Sequence, residues 1–349
     1  MSFTIRALFV LCVALMLGST VWAIVRRIAL LRDKRTRRMA SLWQLTGNDT
    51  LAEPGVSLLV AFDNVALVES LLTLDYLPYE VVIAGNLDNQ LHLHEILARY
   101  SMMDMGSPVV ESNLQRSARH LYRSRLRRYR RLVVVDTIGT TLAERLDCAL
   151  AVRSYDLCLP LPQGVTLATD ALRVLVWRFL EARHTSAVTA PTLAGQGARG
   201  CAAEMWQFIG DTQGCIALFE GDTITSLGGF AAFGEAEADP TTECLGELRR
   251  RGADITSIAV AIGRNPRNHP SIWLVMVVWT LLLGGFLGAI LAKGEEQWMA
   301  VGSVVLVAMS GWIVAVLSRG LGRDAGTPRP WSEIWCAPLT MPRITKKMQ

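Results

Sequence analysis

No two of the seven cysteines stand close enough to read as a zinc or redox pair. Cys12, Cys148, Cys158, Cys201, Cys215, Cys244 and Cys336 are scattered, so reduced thiols are expected rather than a disulfide framework. His92 and His94, two apart, would share a strand face, but no third ligand stands near them and no metal site is expected. A small-x-small cleavage site is missing after the first apolar run, and only Arg6 precedes that run. Both absences favour a retained span over a removed signal peptide. Three stretches lack charge altogether: Ala7 to Val25, Ile272 to Ala292 and Met299 to Leu317. Each is near the roughly 20 residues that cross a bilayer as helix. With 51% of residues hydrophobic, the chain reads as an integral membrane protein.

The flanks orient it. Arg26, Arg27, Arg32, Lys34, Arg35, Arg37 and Arg38 follow the first run, as they do on the cytoplasmic side of a span. Arg264 and Arg267 precede the second run, Glu295 and Glu296 lie between the second and third, and Arg319 and Arg323 follow. The expected order is a transmembrane helix in 1–25, a basic juxtamembrane linker in 26–50 and a cytoplasmic domain in 51–268. Helices at 272–292 and 299–317 and an interfacial tail in 318–349, with Trp331 and Trp335, complete it. This is a multi-pass arrangement in the inner (plasma) membrane.

The middle of the chain alternates two periods. Val56 to Phe62, Tyr79 to Ala84, Arg131 to Asp136 and Tyr155 to Leu159 are apolar runs of strand length. Ala66 to Leu74, Leu91 to Tyr100, Leu142 to Val152 and Asp170 to Ala182 read as helices, the last with Thr169 or Asp170 as its cap. Strands buried on both faces and separated by helices predict an α/β fold: a mainly parallel sheet flanked by helices, with ligands at the carboxyl ends of its strands. Gln115 to Arg131 is the most basic segment of the domain, and it reads as a solvated helix face or as a surface for lipid headgroups or an acidic partner. Arg116, Arg119, Arg123 and Arg127 are the candidate contacts. Nucleic acid is the less favoured partner, because the domain is tethered to a membrane.

Several segments in order carry a family resemblance: VSLLVAFDN, SLLTLDYLPYEVVIA, RLDCALAVRSYDLCLPLP, TDALRVLVWRFLEA, GCIALFEGDTITSLGGF and GELRRRGADI. Together they resemble the membrane-bound family 2 glycosyltransferases of the GT-A fold, the group that includes cellulose, hyaluronan and ceramide glucosyl synthases. The resemblance implies a GT-A-like domain in a membrane frame. It also implies an aspartate on the nucleotide, a carboxylate pair on Mg or Mn, and a carboxylate base for the acceptor hydroxyl.

This sequence departs from that pattern at each place. Gly85 and Asn86 stand where the family's acidic pair follows the second strand, leaving Asn64 and Asp88 as nucleotide-sugar candidates. Pro160, Leu161 and Pro162 stand at the metal-binding Asp-x-Asp, with Asp156 inside the strand and unable to replace it. Asp239 is the candidate base, reached only by a two-residue shift, with Glu237 beside it. The family's QxxRW motif has no counterpart before the second span. The expectation is therefore a catalytically inactive accessory subunit of a larger membrane glycosyltransferase or polysaccharide synthase, with no cofactor and with membrane lipid as a further partner. An active, divergent transferase acting on a lipid or polysaccharide acceptor is the alternative, and only it would call for a nucleotide-sugar and Mg or Mn. A basic membrane adaptor is the third reading.

Overall fold

The computed structural model describes residues 2–45, 53–61, 65–107, 118–182, 184–193, 215–233, 239–258, 262–264 and 294–318. The centre of the domain is a set of parallel strands, β5 (Leu132–Thr137), β2 (Tyr79–Gly85), β1 (Val56–Val60) and β6 (Leu157–Leu161), side by side in that order. Every residue of these strands is buried, which is why their sequences are mainly apolar and do not alternate, with Ser57, Glu80, Asp136 and Thr137 as the buried polar exceptions.

Antiparallel strands extend both sides. β4 (Ala118–Ser124) pairs with β5, and β3 (Met102–Asp104) pairs with β4 at the edge. On the other side β9 (Cys215–Glu220) runs antiparallel between β6 and β8 (Ala187–Leu193). Beyond it β10 (Ile255–Ser257) and β11 (Gly263–Arg264) pair parallel with β8, and β7 (Thr166–Leu167) pairs with β11. The class is mixed α/β, built on one large sheet with a parallel centre.

Helices cover both faces. On one face α2 (Val65–Leu72), α3 (Leu91–Arg99) and α5 (Ala171–Glu181) bury Leu67, Leu71, Leu93, Ile96, Leu172 and Leu175 against Leu58, Ile83 and Val134. On the other, α4 (Leu142–Ala151), α6 (Gly221–Ser226) and α7 (Pro240–Arg250) bury Leu146, Leu150, Ile224 and Leu248 against Leu59, Val82, Val133 and Phe219. Alternation along each strand assigns its side chains to the two layers in turn.

The helix α1 (Ser2–Leu45) precedes the domain and α8 (Glu295–Ser318) follows it. They pack on each other, where Gly302 leaves room for the ring of Phe9, and α1 also touches α5. At 44 residues α1 is about 66 Å long. It therefore continues without a break through most of 26–50, where the sequence predicted a linker. Within it Phe9–Ala29 is the one candidate membrane span among the described residues, against the three expected. Val10, Leu17, Val21, Trp22, Val25 and Ile28 on it are exposed, whereas Ala23 is buried against the α5 layer. The described apolar part of α8, Gln297–Met309, is shorter, and 272–292 lies outside the described residues.

Candidate functional site

Chain direction in the sheet reverses between β1 and β6. From β1 the chain moves outward through β2 to β5, and it returns to the far side of β1 to lay down β6. Such a switch point leaves a crevice beyond the carboxyl ends of the two strands, the usual ligand position in an open α/β sheet. Val60 and Ala61 lie at that end of β1 and Leu161 at that end of β6, all buried. Asn64 and Glu237 fall outside the described residues.

β6 begins two residues later than the sequence predicted, so Asp156 precedes the strand instead of lying within it. Pro160 and Leu161 belong to the strand, in register with Leu59 and Val60. Proline is tolerated there because β9 pairs with β6 only through Leu157 and Cys158, so no ladder remains on that side. At the place the resemblance gives to metal ligands, the side chains are hydrocarbon. They do not fit a divalent cation. Among the described residues no cluster of histidine, cysteine, aspartate and glutamate has metal-binding geometry.

The polar groups at this edge lie beside the crevice, at the ends of β2 and β5. Asp136, buried at the end of β5, accepts a hydrogen bond from the Leu87 backbone N–H at 3.0 Å. The Asn86 side chain accepts one from the Asp88 N–H at 2.9 Å, and Gln90 reaches back to accept one from the Asn86 N–H at 2.9 Å. Gly85 must be glycine for that last bond, since a Cβ would sit 2.4 Å from Gln90 Oε1. Asp88, the nucleotide candidate, is held by Arg119 through a 2.5 Å contact. That carboxylate raises the Arg119 pKa above its usual value, chiefly through the hydrogen bond.

Arg119 therefore belongs to this edge and does not extend the basic surface. Arg116 lies outside the described residues. Arg123 is exposed on β4, and Arg127 opens a single 3₁₀ turn, Arg127–Tyr129. The helix expected over Gln115 to Arg131 is, in its described part, this strand and turn. His92 and His94 sit on α3, the helix the sequence predicts over Leu91 to Tyr100, so residues two apart diverge instead of sharing a face. His94 Nε2 bonds the Leu87 carbonyl at 2.9 Å, and His92 lies 3.8 Å from Glu95.

The N-terminus of α4, at the end of β5, is closed by its own sequence. Thr141 accepts from the Glu144 N–H, and Glu144 Oε2 accepts from the Thr140 and Thr141 N–H groups at 2.8 and 3.1 Å, a capping box. These backbone bonds, that to Thr141 foremost, hold the Glu144 carboxyl below its usual pKa.

Asp239 is the N-cap of α7. Its Oδ1 accepts from the Thr241 N–H and its Oδ2 from the Thr242 hydroxyl, both at 3.2 Å, and Pro240 follows at the first helical position. α7 leads back to the amino end of β8 through Gly252 (φ +74°) and β10, so its capped end points toward the carboxyl edge.

Sequence reasoning passed over Asp147. It lies buried on α4, and its two oxygens accept from the Phe230 and Ala231 N–H groups at 2.6 and 2.9 Å. Gly228 (φ +95°) and Gly229 (φ +84°) form the turn that aims those groups at it. Burial pushes the Asp147 pKa up to about 6, against the lowering effect of the two backbone bonds. Only an aspartate on the inner face of a predicted helix could have signalled it.

No family model matches this chain. No curated protein matches it either. Among solved structures, the chain is similar to a crystal structure of S. aureus TarS 1-349. The TM-score is 0.39 and the identity 12%, over 72% of this chain and 70% of that one. It is also similar to the same S. aureus protein in complex with UDP-GlcNAc, with a TM-score of 0.39 and 11% identity over 82% of this chain and 79% of that one. These likenesses are weak, and the reading of the site rests on this chain's own residues.

Proposed function

We propose that this chain is a membrane-anchored, glycosyltransferase-like protein that has lost catalysis and serves as an accessory subunit of a polysaccharide or glycolipid synthase. The observation that carries the reading is the fixed place of Pro160 and Leu161, within β6 beside the switch-point crevice, where the resemblance calls for metal ligands. The carboxylates proposed as substitutes are engaged locally, Asp88 with Arg119 and Asp239 with its own helix. The exposed apolar surface of α1, its length, and the basic residues that follow its apolar stretch support anchoring in the inner (plasma) membrane with the domain cytoplasmic. Further spans at 272–292 and 299–317 belong to the same proposal.

Calorimetric titration of the purified full chain with UDP-sugars and manganese tests the loss of catalysis. The expected result is no saturable, metal-dependent heat. Clear metal-dependent binding would sink the reading, and nucleotide release abolished by Asp239→Asn would put the divergent-enzyme alternative in its place. Purification from native membrane should bring a larger transferase with it; a chain that comes out alone argues against the accessory role.

A further inference from the structure

The amino-terminal edge of the central strands carries a surface of a different kind. Between β4 and β5 the chain runs Arg125, Leu126, Arg127, Arg128, Tyr129, Arg130, Arg131, and β5 starts at Leu132, so the whole segment lies at that edge. Arg123, Arg125, Arg127, Arg128 and Arg130 are exposed, and none has an ion-pair partner among the described residues. Leu126 projects among them, 44% exposed.

This surface lies near the point where the chain enters the domain, ahead of β1. The Arg131 guanidinium lies 4.9 Å from the centre of the Tyr79 ring. Tyr79 follows the loop Leu77–Pro78, whose Leu77 is 55% exposed. The segment arriving from α1 is bonded to that same loop, through the Tyr76 hydroxyl donating to the Pro54 carbonyl at 2.6 Å and the Val56 N–H donating to the Pro78 carbonyl. Arginines with projecting leucines, beside the attachment of a helix whose sequence is itself basic over Arg26 to Arg38, have the composition of a bilayer-facing surface.

We infer that the segment Arg123–Arg130, together with Leu126 and Leu77, docks on anionic lipid headgroups and holds the amino-terminal edge of the sheet against the membrane. The arginines contact lipid phosphates and the leucines enter the interface. The attraction of exposed charges of one sign to an anionic leaflet is screened by salt, so the docking is salt-sensitive and reversible. The inference rests on the anchoring of α1 proposed above.

Amide hydrogen exchange of the full chain tests it, in nanodiscs of phosphatidylcholine alone and of phosphatidylcholine with phosphatidylglycerol. The expected result is several-fold slower exchange at residues 125–131 with phosphatidylglycerol, reversed by about 0.5 M salt, where the screening length falls to a few ångströms. Arg125→Glu, Arg127→Glu, Arg128→Glu and Arg130→Glu together should abolish the difference while the amides of β1 and β2 stay protected. Leu126→Gln should reduce it, and Arg119→Glu, on the opposite edge, should leave it unchanged. Equal exchange in the two nanodiscs overturns the inference. So does slowing by inorganic phosphate in neutral nanodiscs, or by poly-glutamate where phosphatidylglycerol has no effect. Failure of anchoring is distinguished by alkaline carbonate releasing the chain from membranes.

Discussion

The two edges of the central sheet use their polar groups in opposite ways. At the amino edge one buried carboxylate, Glu80 on β2, ties distant segments together. It accepts from the Ser57 hydroxyl on β1 at 2.6 Å and from both the backbone N–H and the hydroxyl of Ser154, ahead of β6, at 2.5 and 2.8 Å. At the carboxyl edge many groups close short loops: Gln90 and Asn86 the loop after β2, and the Thr141–Glu144 box the start of α4. The lesson is one of range. At the amino edge one carboxylate aligns strands β1, β2 and β6, whereas at the carboxyl edge most contacts fix loop shape, and the two that reach further, Asp136 to the Leu87 N–H and Arg119 to Asp88, tie the loop after β2 to β5 and β4.

Removing the clamp should have the largest effect. Glu80→Ala leaves the Ser57 hydroxyl and the Ser154 donors without their acceptor in a buried place, an expected loss of about 3 kcal/mol in the stability of the domain. Urea unfolding of the full chain in detergent, followed by near-ultraviolet circular dichroism, measures it. A loss below about 1 kcal/mol would place the clamp on a par with the loop contacts.

Asp147 stands between the edges, on the α4 face, and ranks next. Asp147→Ala should cost about 2 kcal/mol, because the Phe230 and Ala231 N–H groups lose their acceptor. Its pH dependence has a definite sign. A carboxyl raised to about 6 when folded binds its proton more tightly in the folded state, so its contribution favours folding at low pH and is lost as pH rises from about 4 through about 6. Unfolding of Asp147→Asn and of the unmodified chain across that range should converge or cross, with the variant gaining relative stability as pH rises. Parallel curves would show that Asp147 does not titrate there.

The carboxyl edge should give smaller effects. Thr141→Ala removes half of a capping box and should cost about 1 kcal/mol, read from the same unfolding curves. Glu144, whose pKa is lowered, has the opposite pH sign to Asp147: its contribution is present above the usual carboxylate value and lost on acidification. Smallest of all is Arg119→Ala. The Arg119–Asp88 pair is exposed, and its removal should leave the unfolding midpoint unchanged within error. A measurable shift there would mean that the carboxyl edge is held by ion pairing as well as by its loops.

The central strands were legible because burial on both faces demands continuous apolar runs, and Val56–Val60, Tyr79–Gly85 and Leu132–Thr137 supply them. Helices α3, α4 and α5 were legible from their periodic apolar faces. For the arginine-rich segment the sequence offers a solvated helix face among its readings because its charges hide any period, and β4 exists by pairing with β5. The strand at β6 was placed two residues early because local pattern does not set register; its alignment against β1 does.

Of the candidate site, the hydrocarbon side chains at Pro160–Leu161–Pro162 were readable directly, since composition alone denies a cation its ligands. The engagement of Asp88 by Arg119, from 31 residues away, was not, and neither was that of Asp147 by the Phe230 N–H, 83 residues away. Sequence by itself determined which segments must be buried, because hydrophobic burial depends on side-chain type and spacing. Tertiary structure alone decided which carboxylates are occupied and which edge of the sheet carries arginines with no ion-pair partner among the described residues. Hydrogen bonds and ion pairs depend on atoms meeting within a few ångströms, and only the folded chain sets those distances.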